Sequence, residues 1–138
     1  MVKLLSMATA AGVGFLAAVA CASAAVGPTG DAVRNGTWGA TGVVLEVTST
    51  GAKIEYDCGR GTLDQPLTLD RNGKFSVTGQ HFREGGPARS DDTGQPARYD
   101  GVVNGDEMTL TVTLTDAKTT FGTYSLAFGH APMLRKCL

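Results

Sequence analysis

Cys58, Cys137 and the two histidines are the side chains of this 138-residue chain that could most readily form covalent bonds, bind a metal or move protons. The two cysteines lie far apart in the sequence, whereas the cysteines of a redox dithiol are normally close together, as in C-x-x-C. A metal site needs more ligands than His81 and His130 can add. The pair therefore favours a structural disulfide, and a disulfide is typical of an oxidising compartment.

A second group of candidates surrounds the longest irregular stretch, residues 83–95. A loop longer than a hairpin needs is either functional, here as a lid over one end of the fold, or simply a solvated excursion. A histidine beside such a loop could bind a ligand or transfer a proton, although it could equally be a satisfied core residue. The candidate ligand or lid residues are His81, Arg83, Glu84, Arg98 and Tyr99.

The motifs of the common enzyme classes are missing from the sequence. It contains no nucleophile elbow, no H-E-x-x-H and no phosphate-binding loop. Asp91 and Asp92 are adjacent, but the spacing of a calcium-binding EF-hand is absent. We therefore predict no catalytic residue, no metal site and no cofactor, and we regard an enzyme as the least favoured class.

Residues 1–24 are predicted to be a signal peptide. Lys3 is the only charge in the first 30 residues, an apolar run covers residues 4–20, and Ala22-Ser23-Ala24 is a cleavage sequence of the A-x-A type. The alternative is a membrane anchor, for which the run is marginal in length and weakly hydrophobic. Cleavage indicates a protein exported to the periplasm or the exterior.

Cys21 has two alternative fates. Cleavage after Ala24 discards it, whereas the box Ala18-Val19-Ala20-Cys21 would allow lipidation and membrane attachment, although Ala18 replaces the usual Leu.

Residues 25–35 are small and contain Gly and Pro, so we predict a flexible leader. Residues 36–138 then form a single domain.

The charge balance excludes nucleic acid as a partner. Lys and Arg number 12 against 13 Asp and Glu, and removal of Lys3 changes the balance to 11 against 13, a net charge of −2. The chain has no cluster of basic residues and no basic face with interleaved aromatic residues. Without lipidation at Cys21, membrane attachment is not expected either.

The elements that must position these residues are β-strands, because apolar and polar residues alternate through most of the domain. We predict an all-β fold: an antiparallel up-and-down meander of about eight strands closed into a small barrel, with a β-sandwich as the alternative. The large apolar side chains of one face would fill the barrel. The predicted strand runs are 43–48, 52–58, 67–69, 75–81, 99–103, 108–115, 121–128 and 133–138.

Two resemblances extend this prediction. Gly36-Thr37-Trp38 before the first run, with Arg135 in the last, resembles the calycin superfamily (lipocalins, fatty-acid-binding proteins and avidins), in which an arginine packs over the tryptophan and plugs one barrel end. The stretches 51–58, 85–87 and 96–99 with Cys137 resemble small exported bacterial proteins without a known activity. The first resemblance implies a carrier of a small apolar ligand, and the second implies no activity.

Two hypotheses therefore remain open at the level of sequence. In the first, the chain is a cell-envelope structural or interaction module with a filled barrel and a disulfide clasp between Cys58 and Cys137, and its partner is another envelope macromolecule. In the second, it is a small-molecule carrier of the calycin type. An internal cavity of roughly 300 Å³ or more would favour the carrier.

Overall fold

The computed structural model describes residues 30–84 and 94–137, and they form a closed antiparallel β-barrel in which each strand pairs with the next along the chain. Pairing of β8 with β1 closes the barrel through Trp38 opposite Phe128 and Gly39 opposite Ala127. The all-β meander barrel predicted from the alternation is thus confirmed. Its strands are β1 (Gly36–Ala40), β2 (Val43–Val47), β3 (Ala52–Tyr56), β4 (Gly59–Leu63), β5 (Lys74–Arg83), β6 (Gln95–Asn104), β7 (Glu107–Leu114) and β8 (Thr119–Phe128).

The eight strands are not the eight predicted runs. The runs 67–69 and 133–138 form single bridges rather than strands, through Thr68 with Ala32 and Met133 with Thr41. In their place stand β1 and β4, whose glycine-rich sequences show little alternation. Their backbones nevertheless complete the ladders that β2, β3 and β5 require.

Side chains fill the barrel interior. The alternating residues of β2, β3, β5 and β7 point inward, because successive side chains of a strand face opposite sides of the sheet. Two large aromatic residues of the core, Trp38 and Tyr99, are 0 % exposed. The other buried apolar residues of the core are Val33, Val43, Leu45, Val47, Ala52, Ile54, Tyr56, Leu63, Leu67, Phe75, Val77, Ala97, Met108, Leu110, Val112 and Leu126.

The barrel has two ends that differ in what covers them. We call the end with the connections β1–β2, β3–β4, β5–β6 and β7–β8 the upper rim, and the other end the lower rim. At the lower rim, residues 30–35 pack against the β4–β5 connection: Val33 donates its amide to the Leu67 carbonyl and is 2 % exposed. This half of the predicted flexible leader is therefore fixed to the barrel, because Val33 completes the core. Residues 1–29, with the predicted signal peptide and Cys21, lie outside the described residues.

After β8 the chain turns back at Gly129, and residues 130–137, here called the strap, run up the outside of the barrel to the upper rim. The strap ends in the predicted disulfide between Cys137 and Cys58. The predicted strand run 52–58 ended at Cys58, but Cys58 lies exposed in the β3–β4 turn. The disulfide therefore fastens the strap to the surface, and barrel closure is achieved by β8.

No helix in residues 30–84 or 94–137 is long and apolar enough to cross a membrane.

We expect Gly79→Ala to lower the free energy of unfolding by about 1–3 kcal/mol, the usual cost of overpacking. A Cβ at Gly79 would collide with the Thr62 carbonyl oxygen and would lie 3.2 Å from the Leu63 Cα, so backbone would have to move. Urea unfolding measures the effect. The control Thr78→Ala, at the neighbouring exposed position, should change the same free energy by less than about 0.5 kcal/mol. Equal effects at both positions would contradict the close approach of β4 and β5.

Candidate functional site

Four aromatic rings close the barrel at the upper rim, and we call them the rim cluster: Tyr56, His81, Phe121 and Tyr124. The centroid of the Phe121 ring lies 4.2 Å from that of His81 and 5.3 Å from that of Tyr56. The Tyr56 ring lies 5.6 Å from His81 and 5.4 Å from Tyr124. These separations are typical of packed aromatic pairs, so the cluster is a continuous lid on the core.

Strand geometry brings the four rings together. Tyr56 is the last residue of β3, and His81 faces inward near the end of β5 by the alternation that also buries Phe75 and Val77. Phe121 reaches the cluster because the β7–β8 register shifts between Val112 and Thr113. Such a bulge inserts an extra residue and re-aims its side chain. Phe121 remains 40 % exposed and forms the outer surface of the cluster.

Two buried polar atoms in the cluster, the Tyr56 hydroxyl and the His81 Nδ1, have no hydrogen-bond partner of good geometry among the described residues. The Tyr99 phenol nevertheless lies close enough to the Tyr56 phenol to add to the rise of its pKa. His81 is 1 % exposed and Tyr56 is 4 % exposed. By contrast, the Tyr99 hydroxyl deeper in the barrel donates to the Gln80 carbonyl at 2.7 Å. Buried polar groups in proteins are nearly always paired, so the two unpartnered atoms distinguish this end of the barrel from the rest of the core.

Burial dominates the protonation of the cluster. Burial lowers the pKa of His81 below its ordinary value, and the nearby Arg83 cation lowers it further. Burial likewise raises the pKa of the phenols of Tyr56, Tyr99 and Tyr124. At neutral pH the cluster is therefore an uncharged group of rings with one neutral imidazole.

Charged side chains surround the cluster on the outside of the rim. Glu84 contacts Arg60 at 3.4 Å and Lys136 of the strap at 3.2 Å, and Lys136 also lies 3.6 Å from Glu55. Arg60 additionally lies over the ring of Phe82, 4.4 Å from its centroid. These groups are partly exposed, so each ion pair contributes little to stability and the set mainly defines a polar border.

The residues predicted to form a ligand or lid site are only partly brought together. His81 and Glu84 lie at the upper rim, and Arg83 is the exposed last residue of β5, close enough to His81 to lower its pKa. Arg98 lies on the outer face of β6, paired with Asp100 at 2.8 Å, and therefore does not approach His81. Tyr99 is a core residue rather than a lid residue. Residues 85–93, the centre of the predicted lid, lie outside the described residues.

At the predicted tryptophan plug, the arginine that packs on the aromatic rings is Arg34 and not Arg135. Trp38 is fully buried, packs edge-on against Phe128 at 5.1 Å and donates its indole N–H to the Arg34 carbonyl at 3.0 Å. The guanidinium of Arg34 lies 4.1 Å above the Phe128 ring. Arg135 is exposed on the strap, with its amide bonded to Asp57. Arg135 could not reach the plug because the chain leaves the barrel at Gly129.

Gly36 does contribute to this end of the barrel. Its φ is +129°, and a Cβ there would lie 3.2 Å from the Phe128 ring, so only glycine allows β1 to begin beneath that ring. The described residues contain no group of three or more His, Cys, Asp or Glu side chains that could hold a metal ion.

Sequence reasoning missed the rim cluster as a unit. The alternation placed Tyr56 and His81 on inward faces, but the register shift that brings in Phe121 leaves no readable signal in a run of threonines. The chain matches no protein-family model, no curated protein and no solved structure in sequence and fold comparisons. Any proposal of a function therefore rests on the geometry of the barrel alone.

We expect Tyr56→Phe and Tyr99→Phe to have opposite effects on the free energy of unfolding. Tyr56→Phe removes a buried hydroxyl without a partner and should stabilise the protein by up to about 1 kcal/mol. Tyr99→Phe removes the buried hydrogen bond to the Gln80 carbonyl and should cost about 0.5–1.5 kcal/mol. Urea unfolding of the two variants measures the difference. An equal loss in both would show that the Tyr56 hydroxyl has a partner in solution.

Stability should decrease in mild acid because of His81. The folded state holds the imidazole neutral below its ordinary pKa of 6.5, so the unfolded chain binds more protons in that range. Stability is then lost as pH falls from about 6.5 through the folded pKa, with a slope of at most about 1.4 kcal/mol per pH unit. Urea unfolding between pH 4.5 and about 7.5 measures the slope.

The matched variants for this measurement are His81→Phe and His130→Gln. His81→Phe should remove the histidine component of the slope, whereas His130→Gln should keep it because His130 is exposed at the start of the strap. A wild-type slope that survives in His81→Phe would assign the acid sensitivity to the carboxylates instead.

Proposed function

We propose that the protein is an exported cell-envelope module that acts through its outer surface and binds another macromolecule. The main support is the filled interior, in which Trp38, Tyr99, Leu45, Ile54 and Leu110 are each 0 % exposed. A core of this kind provides a rigid scaffold with little room for a cargo. The disulfide supports an oxidising, exported location, in the periplasm or outside the cell, and Cys21 would add a membrane anchor only if it were lipidated.

The outer face offers surfaces for such contacts. A groove of about 610 Å³ lies between the β4–β5 connection and the outward side of β5, β6 and β7, where Lys74, Asp100 and Val102 contribute to its lining. A second groove of about 490 Å³ lies over the seam between β1, β7 and β8. Thr109 belongs to both, so the grooves form one continuous band on the barrel. An extended band on a rigid sheet suits a macromolecular partner.

A second candidate function is a small-molecule carrier of the calycin type. The observation that favours it is the pair of unpartnered buried atoms, the Tyr56 hydroxyl and the His81 Nδ1. A small apolar ligand with one hydrogen-bonding group would satisfy them if it displaced Phe121, the exposed member of the rim cluster. The filled core makes this the less favoured proposal.

Photo-crosslinking in the native host tests the first proposal. A photoreactive residue at Val102, which is 42 % exposed on the outer face, should yield a covalent adduct with an envelope macromolecule. The matched position is Asp116 in the exposed β7–β8 turn, which lies outside both grooves and should give no adduct.

Native mass spectrometry of the protein purified from the same host completes the test. The interaction module predicts a mature chain without a bound small molecule. A retained small molecule that is lost in Tyr56→Phe, with no adduct at Val102, would support the carrier and contradict the module.

A further inference from the structure

The strap covers one row of the barrel's outer face. In the ladders of β1, β2 and β3, Gly39 stands opposite Val44 and Val44 opposite Glu55, so the three form a row across the strands. Val44 points outward by alternation with Val43 and Leu45, yet it is 6 % exposed and belongs to no part of the core cluster. A covering element outside the barrel must therefore bury it.

The contacts identify the strap as that covering element. The His130 carbonyl lies directly against Gly39, where any Cβ would collide with it. Lys136 pairs with Glu55 at the other end of the row, and between them Met133 bridges to Thr41. The strap thus lies across the row from the β1 side to the β3 side.

Few non-covalent contacts hold the strap. Its backbone bonds to the rim are the Gly42 amide to the Met133 carbonyl at 3.0 Å, the Arg135 amide to the Asp57 carboxylate at 2.7 Å and the Cys137 amide to the Asp57 carbonyl at 3.2 Å. Met133 is 75 % exposed. Each hydrogen bond contributes about 0.5–1.5 kcal/mol net, and exposed ion pairs contribute less.

The disulfide is the strongest attachment, and it lies at the surface. Cys58 and Cys137 are both exposed, so a thiolate in solution could reach the bond without unfolding of the core. The barrel is closed before the strap begins, by the pairs of β1 with β8. Loss of the disulfide should therefore free the strap and leave the barrel closed.

We propose that the Cys58–Cys137 disulfide is a thiol-exchange site for a dithiol partner, and that exchange releases the strap from the row of Gly39, Val44 and Glu55. A thiolate of the partner attacks one sulfur, the Cys58–Cys137 bond breaks, and the departing thiolate takes a proton. The partner's second thiol then attacks the mixed disulfide and frees the other cysteine. The partner dithiol supplies two electrons and becomes a disulfide, while Cys58 and Cys137 become thiols.

This inference rests on the proposed function, because release changes the outer face through which the module would act. Release of the strap exposes a surface that only the reduced form presents, in which the apolar side chain of Val44 lies beside the charge of Glu55. Its test is independent of any macromolecular partner, so failure of the exchange site and failure of the interaction module give different results.

Amide hydrogen exchange on the purified protein, with and without dithiothreitol, tests the release. The amides of Gly42, Arg135 and Cys137 should exchange at least about tenfold faster after reduction. The Val33 amide is an internal control, since it bonds to the Leu67 carbonyl at the lower rim and not to the strap. Its exchange, and that of β5 to β8, should change by less than about twofold.

Matched variants separate the disulfide from the other contacts. Cys58→Ser with Cys137→Ser should reproduce the reduced pattern without reductant, whereas Lys136→Gln should keep the oxidised pattern. The rate of reduction should be the same in wild type and in Gly79→Ala, because direct attack does not require unfolding. Faster reduction in Gly79→Ala, uniform acceleration of exchange across the barrel, or unchanged strap amides would each overturn the proposal.

Discussion

The pairing of β1 with β8 is the contact on which the whole structure depends. It consists of two residue pairs, Trp38 with Phe128 and Gly39 with Ala127, and without it the meander would be an open sheet with two exposed edges. Trp38 and Phe128 also build the lower end of the core, since their rings pack together and Arg34 covers that of Phe128. The contact of Trp38 with Phe128 therefore both closes the barrel and fills its lower end.

The brevity of this pairing explains the asymmetry of the barrel. The strands β1 to β4 have five residues each, whereas β5, β6 and β8 have ten. Above Ala127, β8 extends past the end of β1 without a strand partner on that side among the described residues. The rim cluster fills this region with rings, because Phe121 and Tyr124 of β8 reach across to Tyr56. Side-chain packing thus substitutes for backbone pairing at the upper rim.

Much of the fold follows from alternation, and the errors have identifiable physical causes. The inward residues of β2, β5 and β7 and the disulfide partners were predicted correctly because burial of one face and the scarcity of other cysteines leave few alternatives. Strand β4 was missed because its sequence, Gly-Arg-Gly-Thr-Leu, shows little apolar alternation, and Gly61 instead makes room for the Tyr99 hydroxyl. The segment 133–138 shows no apolar alternation, and the closing edge that it was predicted to fill is occupied by β8. The local sequence pattern cannot show which segment pairs with β1 and closes the barrel.

The two ends of the described chain leave the barrel at opposite rims. Residues 30–35 join it at the lower rim through Val33, and Cys137 ends at the upper rim beside Cys58. The molecule therefore has a polarity: held by a tether at its N-terminal side, it would turn its aromatic end and its disulfide away from the attachment point. Any surface that anchors the chain in this way would leave the exposed disulfide accessible to molecules in the surrounding medium.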